Sequence, residues 1–395
     1  MKFLTIKFIL LGGVIVGLLF LAYFKVPELL SLDYNPQADG LEAHPESGGE
    51  AILSIIKPRP KATHLKTPEP LKAVYMTSWV AGSKERRGKI VELIERTELN
   101  AIVIDIKDYS GRIAFRVYDP YLKEIGSVEK RIPDVFEFIQ ELHEKNIYVI
   151  GRISVFQDLY LTEKLPDLAV KRASDGKIWR DRKGISWFDP GAREIWNYTA
   201  AIAKESYEVG FDELNFDYIR FPSDGNMSDI SYPFSEGEVK SVVLLEFFSY
   251  LNKQLKPMGA VLSADLFGMT TTNTDDLNIG QFLEYTLPYF DFVSPMVYPS
   301  HYPKGWNGIA KPAENPYSVV NYSMKRAVRR LKALDYDPLK LRPWLQDFNL
   351  GATYTAEMVR AQMKATYDAG LTSWMLWNAA NTYTTAALQK QESVQ

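Results

Sequence analysis

The feature that most constrains this chain is a regular alternation of short apolar segments with longer amphipathic ones, which begins at Leu71. Each short segment is rich in β-branched and aromatic residues and predicts a strand, and each amphipathic segment predicts a helix. The predicted strands are Ala73–Thr77, Ala101–Ile106, Tyr148–Ser154, Glu213–Ile219, Ala260–Leu266, Phe292–Tyr298, Arg342–Gln346 and Ser373–Trp377. The predicted helices are Lys84–Arg96, Pro133–Lys145, Ala192–Val209, Glu236–Leu255, Ile279–Tyr285, Ser318–Leu334 and Thr355–Ala369.

Strands that alternate with helices in this way predict an α/β fold, a (β/α)8 TIM barrel over residues 71–390. A doubly wound open sheet is the alternative. Such a sheet usually has a Gly-rich phosphate-binding turn after its first strand. The segment that follows Thr77 lacks that spacing, which favours the barrel.

The first 26 residues contain an uncharged apolar run, Phe8–Phe24, with Lys2 and Lys7 before it. Its length is close to the lower limit of about 17 residues for a membrane span. The early lysines favour a cytoplasmic N-terminus. We therefore expect a single-pass signal anchor at residues 1–26, with the remainder held outside the cytoplasm at the cell membrane. A cleaved signal peptide, giving a secreted protein, and a buried core helix are the alternatives, although no small-residue cleavage site follows Ala22.

Residues 27–70 lose all periodicity and are rich in Pro, Gly and charged residues. This composition is typical of a tether, partly extended by its prolines.

Composition excludes several kinds of function. The chain has no cysteine, so cysteine nucleophiles and thiolate metal sites are absent from it. Its four histidines show no metal-ligand spacing, and we expect neither a metal nor a cofactor. The net charge of −3 and the lack of a long basic run in the body of the chain argue against a nucleic-acid partner.

Polar side chains collect where the predicted strands end, which in a barrel is the face that carries chemistry. They are Asp105, Lys107, Arg152, Asn215, Asp217, Arg220, Asp265, Tyr298, Gln346, Trp377 and Asn378. Buried ionised groups are costly unless they are paired, so such a ring indicates a site better than a core. The alternative is that Asp217, Asp265 and Asp105 only form ion pairs with Arg152, Lys107 or Arg220.

Two long segments between elements have no assigned role. Pro166–Lys183, of mixed charge, is either a lid over the third strand or a surface hairpin, and Gly111–Tyr118 predicts a β excursion after the second strand.

The ordered motifs of the chain resemble a family of glycosyl hydrolases catalogued among the domains of unknown function. The motifs are Trp187–Trp196, Gly210–Pro222 with its Phe-Asp-Tyr-Ile-Arg-Phe-Pro ending, Ser263–Gly268, Val293–His301 and Trp374–Asn381. The resemblance covers nearly all of the region after Leu71. It implies a barrel glycosidase whose partner is a polysaccharide or oligosaccharide.

The chain is also distantly similar to chitinase-like glycosidases. Asp212, Asn215 and Asp217 match the spacing of their fourth-strand motif, but Ile219 stands where those enzymes have their acidic Glu. We therefore expect the glycosidase chemistry without the chitinase mechanism.

Glycoside hydrolysis requires one protonated and one ionised carboxyl group. If the resemblance holds, Asp217 is the ionised nucleophile or stabiliser, Asp265 the general acid and Asp105 its reserve. Asn215, Arg220, Lys107, Arg152, Tyr298, Trp377, Asn378 and Gln346 are then expected to bind substrate. Trp79, Trp187, Trp344 and Trp377 are candidate sugar-stacking rings.

Three functions stay open. They are a cell-surface glycosidase that acts on an extracytoplasmic or cell-envelope polysaccharide, a non-catalytic glycan-binding barrel, and a related transglycosylase or lyase.

Overall fold

The computed structural model describes residues 61–390, and within them eight parallel strands close into a barrel in chain order. The strands are β1 (Lys72–Met76), β2 (Ala101–Lys107), β3 (Tyr148–Ser154), β4 (Glu213–Asp217), β5 (Val261–Phe267), β6 (Phe292–Met296), β7 (Trp344–Gln346) and β8 (Trp374–Trp377). The predicted barrel and each predicted strand are confirmed, with ends that differ by one or two residues.

Helices lie between the strands, as the alternation predicts. They are α1 (Ser78–Ala81), α2 (Lys84–Arg96), α3 (Pro120–Ile125), α4 (Val135–Glu144), α5 (Leu161–Lys164), α6 (Arg193–Val209), α7 (Lys240–Leu255), α8 (Leu283–Thr286), α9 (Pro316–Ala333) and α10 (Ala356–Asp368). The local signals are ordinary ones. In α2, for example, the Ser83 side chain accepts from the Arg86 amide at the N-terminus, and one face buries Ile90 and Ile94.

Two apolar cores follow from the alternation of side chains along each strand. Ala73, Val103 and Ile150 pack inside the barrel, together with Tyr75 and Met375. Their neighbours along the strands face outward and join the larger core under the helices. Charged side chains lie at both ends of the barrel interior. Arg342 pairs with Glu213 at the start of β4, and Asp105, Arg152, Asp217 and Asp265 lie toward the carboxyl ends of the strands.

The joint between β6 and β7 has the fewest paired residues of any two neighbouring strands in the barrel. Between the two strands only Met296 and Trp344 are in register, with one further parallel bridge from Val293 to Leu341 just before β7, whereas β2 and β3 align six pairs. The short β7 is held from the other side by three registered pairs with β8.

Residues 61–70, predicted as the end of the tether, contact the N-terminal end of the barrel. The Leu65 amide donates to Asp212 at 2.6 Å, and Thr67 hydrogen-bonds Tyr148 at 2.9 Å. Glu69 accepts from Ser373 just before β8. Residues 61–70 therefore belong to the same compact unit as the barrel.

The predicted anchor, Phe8–Phe24, and most of the predicted tether lie outside the described residues. Within residues 61–390, no helix combines the length and the apolar character that a membrane crossing requires.

Candidate active site

A cavity of about 700 Å³ opens at the carboxyl ends of the strands. Its floor brings together three carboxylates from the sequence prediction, Asp105 on β2, Asp217 on β4 and Asp265 on β5. All three are almost completely buried. Arg152, on β3 between the first two, is equally buried and is the cation they share.

The Arg152 guanidinium lies at a different distance from each of the three carboxylates. Its Nη1 lies 2.7 Å from Asp105 Oδ1, and its Nε lies 3.1 Å from Asp217 Oδ2. The same Nε is 3.9 Å from Asp265 Oδ2. Asp217 and Asp265 are therefore close neighbours on either side of one guanidinium nitrogen.

The Asp265 carboxyl has two unlike oxygens. Oδ1 accepts from the Asn215 amide at 2.9 Å and from the Trp344 indole at 2.8 Å. Oδ2 is buried and has no hydrogen-bond partner among the described residues. Burial raises the pKa of Asp265 well above its usual range, and the nearby Asp217 charge raises it further, against the opposing effect of Arg152. The arrangement favours a proton on Oδ2.

Asp105 is more fully engaged. Besides Arg152, the Tyr75 hydroxyl donates to its Oδ2. Burial raises the pKa of Asp105, and Arg152 and Tyr75 oppose that effect. Both of its oxygens are therefore hydrogen-bonded, and its charge opposes that of Arg152.

Aromatic rings surround the floor. Trp377 lies over Arg152, with the guanidinium carbon 5.1 Å from the ring centroid, and it stacks on Tyr75 at 4.0 Å. Tyr298 also lines the cavity, and burial beside Asp265 raises the pKa of its hydroxyl well above the usual range. Arg220 lines one wall, where it packs against Trp187 and Tyr218.

Lys107 does not reach the cavity, although strand alternation places it on the face of Asp105. A register shift between Asp105 and Lys107 turns its side chain outward. There it forms a buried ion pair with Asp158 at 2.8 Å and donates to the Ser154 carbonyl. Lys107 is not among the residues that line the cavity, and its contact with substrate stays a prediction.

Three other predicted binding residues support the site without lining it. Asn215 holds Asp265 and also Ser263, at 3.1 Å. Gln346 is buried and accepts from the Ser300 amide, and Asn378 braces the loop after β8 through the Asp347 carbonyl. Their contact with substrate stays a prediction, and the Asn215 Oδ1 atom is buried without a hydrogen-bond partner among the described residues.

The four candidate stacking tryptophans divide into two pairs. Trp79 and Trp377 line the cavity. Trp187 and Trp344 are completely buried, and their indole nitrogens donate to Asp181 and Asp265. The second pair packs in the core and positions carboxylates, so it cannot stack on a sugar.

The position of the chitinase-type acid is also explained. β4 ends at Asp217, and Tyr218 adopts a left-handed backbone with φ of 52°. Side-chain direction therefore no longer alternates beyond Asp217, and Ile219 is buried in the core. Asp212, the first residue of that motif, lies at the opposite end of β4, where it binds the Val149 amide.

Several cavity residues escaped the prediction, among them Asp108, Tyr109, Asp181, Lys183, Phe267, Met269 and His301. Tyr109 lies two residues beyond the end of β2, so a longer window at each strand end would have included it. Asp181 and Lys183 belong to the segment 166–183. Both predictions for that segment are partly correct, because Lys171 and Ile178 bridge as a hairpin while its end forms part of the cavity wall.

No group of three or more metal-ligating side chains within residues 61–390 has the geometry of a metal site. The segment Gly111–Tyr118 forms isolated bridges through Ile113, as a short excursion beside β2.

Comparisons with known proteins bear on the family and the fold. A family model described as "putative glycosyl hydrolase domain" matches residues 73–383. A hypothetical protein of known structure from Ruminiclostridium thermocellum is 42% identical, over 49% of this chain and 96% of that one, with a TM-score of 0.45. The glycoside hydrolase domain of PgaB (BpsB) from Bordetella bronchiseptica is 15% identical, over 78% of this chain and 94% of that one, with a TM-score of 0.59. A comparison with curated proteins gave no match.

Proposed function

The chain belongs to the glycosyl hydrolase family whose model spans residues 73–383 and is on that ground a glycosidase, and from this premise we propose that it hydrolyses a polysaccharide with Asp265 and Asp217 as its catalytic pair. One observation carries the assignment. Two buried carboxyls approach one Arg152 nitrogen, yet Asp217 accepts a hydrogen bond from it at 3.1 Å while Asp265 Oδ2 lies 3.9 Å away and has no hydrogen-bond partner among the described residues. Glycoside hydrolysis needs this combination of an ionised and a protonated group.

The roles follow from the hydrogen bonds. Because Asn215 and Trp344 both donate to Asp265 Oδ1, the proton of this carboxyl resides on Oδ2. From there it passes to the glycosidic oxygen as the bond from that oxygen to the anomeric carbon breaks. Asp217, held by Arg152, faces the positive charge that develops at the anomeric carbon, as nucleophile or electrostatic stabiliser. Asp105 balances the charge of Arg152.

The proposed substrate is an extracytoplasmic polysaccharide. The aromatic rings of Trp377 and Tyr298 beside the carboxylates suit the apolar face of a pyranose ring. The sequence prediction of a signal anchor at Phe8–Phe24 supports a location at the cell membrane. Fractionation of cells tests that part, because an N-terminally trimmed protein in the medium would mean that this segment is cleaved.

The activity is tested with the full chain on a panel of bacterial and plant polysaccharides, with released reducing ends as the readout. Wild type should release reducing ends from at least one of them, and Asp217→Asn and Asp265→Asn should not. Unsaturated or transferred ends would indicate a lyase or a transglycosylase instead.

A non-catalytic glycan-binding barrel is the second candidate. It is favoured by the ion pairs of Arg152 with Asp105 and Asp217, since a stable paired cluster can persist without catalysis. Binding of a polysaccharide without any release of reducing ends would support this function over hydrolysis.

A further inference from the structure

Two large aromatic side chains are exposed at one rim of the cavity. Trp79, in the helix after β1, is 57% exposed, and Tyr109, after β2, is 52% exposed. Both rings line the same cavity as the carboxylates. Single exposed aromatics are common on protein surfaces, but two on neighbouring loops at the mouth of a cavity form an interaction surface.

The Trp79 ring is supported from behind. The guanidinium carbon of Arg131 lies 4.4 Å from its ring centroid, over one face. The Arg131 side chain is only 4% exposed and is ion-paired with Asp108 at 2.8 Å and with Glu129 at 2.6 Å. It also donates to Ser110 at 2.8 Å. One face of the indole is therefore covered by a fixed cation, and the exposed area belongs to the other face.

The two loops behave as one rigid unit. Arg131 Nη1 donates to Ser78 Oγ at 3.2 Å, next to Trp79 in the chain. The backbones also approach closely, because a Cβ on Gly82 would lie only 1.9 Å from the Arg131 carbonyl oxygen. Only glycine permits this contact, and it fixes α1 against the segment that carries Arg131. A ring that is held in place before binding loses little conformational entropy when a ligand stacks on it.

We infer that Trp79, with Tyr109 beside it, is a subsite that binds a pyranose ring of the glycan away from the bond that is cleaved. The inference rests on the proposed function, since the chain on this rim is taken to be the one that reaches Asp217 and Asp265. It specifies the substrate class as a polymer or long oligosaccharide. A monoglycoside that fills only the floor of the cavity would not use the rim.

Affinity electrophoresis tests the binding step without requiring hydrolysis. Full-length wild type, Trp79→Ala and Trp79→Phe are run in native gels that contain soluble xylan, chitosan, mixed-linkage glucan or polygalacturonate. Phe234→Ala is the matched control, because Phe234 is 44% exposed and does not line the cavity. For a polysaccharide that retards wild type, Trp79→Ala should weaken binding about tenfold or more, as truncation of a central tryptophan typically does. Trp79→Phe should retain most of the affinity, and Phe234→Ala all of it.

The inference is overturned if Trp79→Ala is retarded like wild type, or if no polysaccharide retards wild type. Because Trp79 is exposed, its variants should keep the wild-type melting temperature. If Trp79→Ala and Phe234→Ala lose affinity alike, the loss is not specific to the rim and the subsite is overturned.

The outcomes separate the subsite from the catalytic proposal. Trp79-dependent retardation without any release of reducing ends leaves the subsite standing and contradicts the hydrolase. Release of reducing ends from the polymer with equal kcat/KM in wild type and Trp79→Ala supports the hydrolase and contradicts the subsite. If both stand, Trp79→Ala lowers kcat/KM on the polymer and leaves the rate on a p-nitrophenyl monoglycoside unchanged.

Discussion

Replacing Asp265 by Asn should change how the stability of the barrel depends on pH. The amide keeps the shape of the carboxyl, and its oxygen can still accept from Asn215 and Trp344. Burial raises the pKa of Asp265 in the folded state, whereas the unfolded chain has a value of about 3.9. Between these two values the folded wild type binds a proton that the unfolded chain has released.

The sign follows from linkage. The folded pKa is raised, so the stabilisation is complete below pH 4 and is lost as pH rises toward the folded pKa. The Asn side chain of the variant does not titrate, so the variant does not lose stability in this way as pH rises. Relative to wild type, its free energy of unfolding should therefore rise by about 1.4 kcal/mol for each pH unit between the unfolded and the folded pKa of Asp265. The curves become parallel above the folded pKa.

Urea unfolding at half-unit steps from pH 4 to pH 8 measures this difference. Ser263→Ala is the control, because Ser263 shares the Asn215 amide but does not titrate in this range. Its difference from wild type should be independent of pH. The pH at which the Asp265→Asn difference levels off should coincide with the basic limb of the kcat/KM profile, which reports the free enzyme. A difference that stays constant from pH 4 to pH 8 would show that Asp265 is ionised at neutrality and cannot be the acid.

The remaining predictions concern single side chains. Asp265→Asn should slow cleavage of glycosides with poor leaving groups by about 10²–10⁴-fold and of activated aryl glycosides far less, because the latter need little protonation. An equal loss on both substrates in initial-rate assays would contradict the assignment. Asp217→Asn should slow cleavage of both substrates alike. Its free energy of unfolding in urea should fall by about 3 kcal/mol, since Arg152 loses a buried partner. Wild-type rates would remove Asp217 from the mechanism. Lys107→Met should lose about 3 kcal/mol of stability in the same assay, because Asp158 is left unpaired, and keep the wild-type KM. A raised KM would restore Lys107 as a substrate ligand.

The periodicity of the sequence was sufficient to predict the barrel and most of its polar floor. Strand alternation placed Arg152, Asp217 and Asp265 on the inward face, and the structure brings them together. The same rule failed at Lys107, because a bulge that changes the phase leaves no mark in the pattern of apolar residues. It failed for Trp344 as well, since an indole that stacks on sugar and one that donates to a buried carboxylate look alike in a sequence.

Contacts between distant segments were also beyond prediction. Residues 61–70 have the composition of a linker, yet Leu65 and Thr67 meet partners on β3 and beside β4. Arg131, which supports Trp79, lies 52 residues further along the chain, and neither residue signals the other. Such pairs depend on how loops fold over the barrel, which local preferences do not determine.

The thin joint between β6 and β7 has a consequence for breathing motions of the barrel. Because one registered pair and one isolated bridge hold this joint, amide exchange should be faster in β7 than in the other strands. Trp344, the β7 residue of that pair, also reaches past β6 to Asp265 on β5 with its indole nitrogen. That hydrogen bond spans the joint. Each opening of the joint strains or breaks this bond and lets water approach the carboxyl. The proton affinity of Asp265 should therefore depend on how far β7 is open.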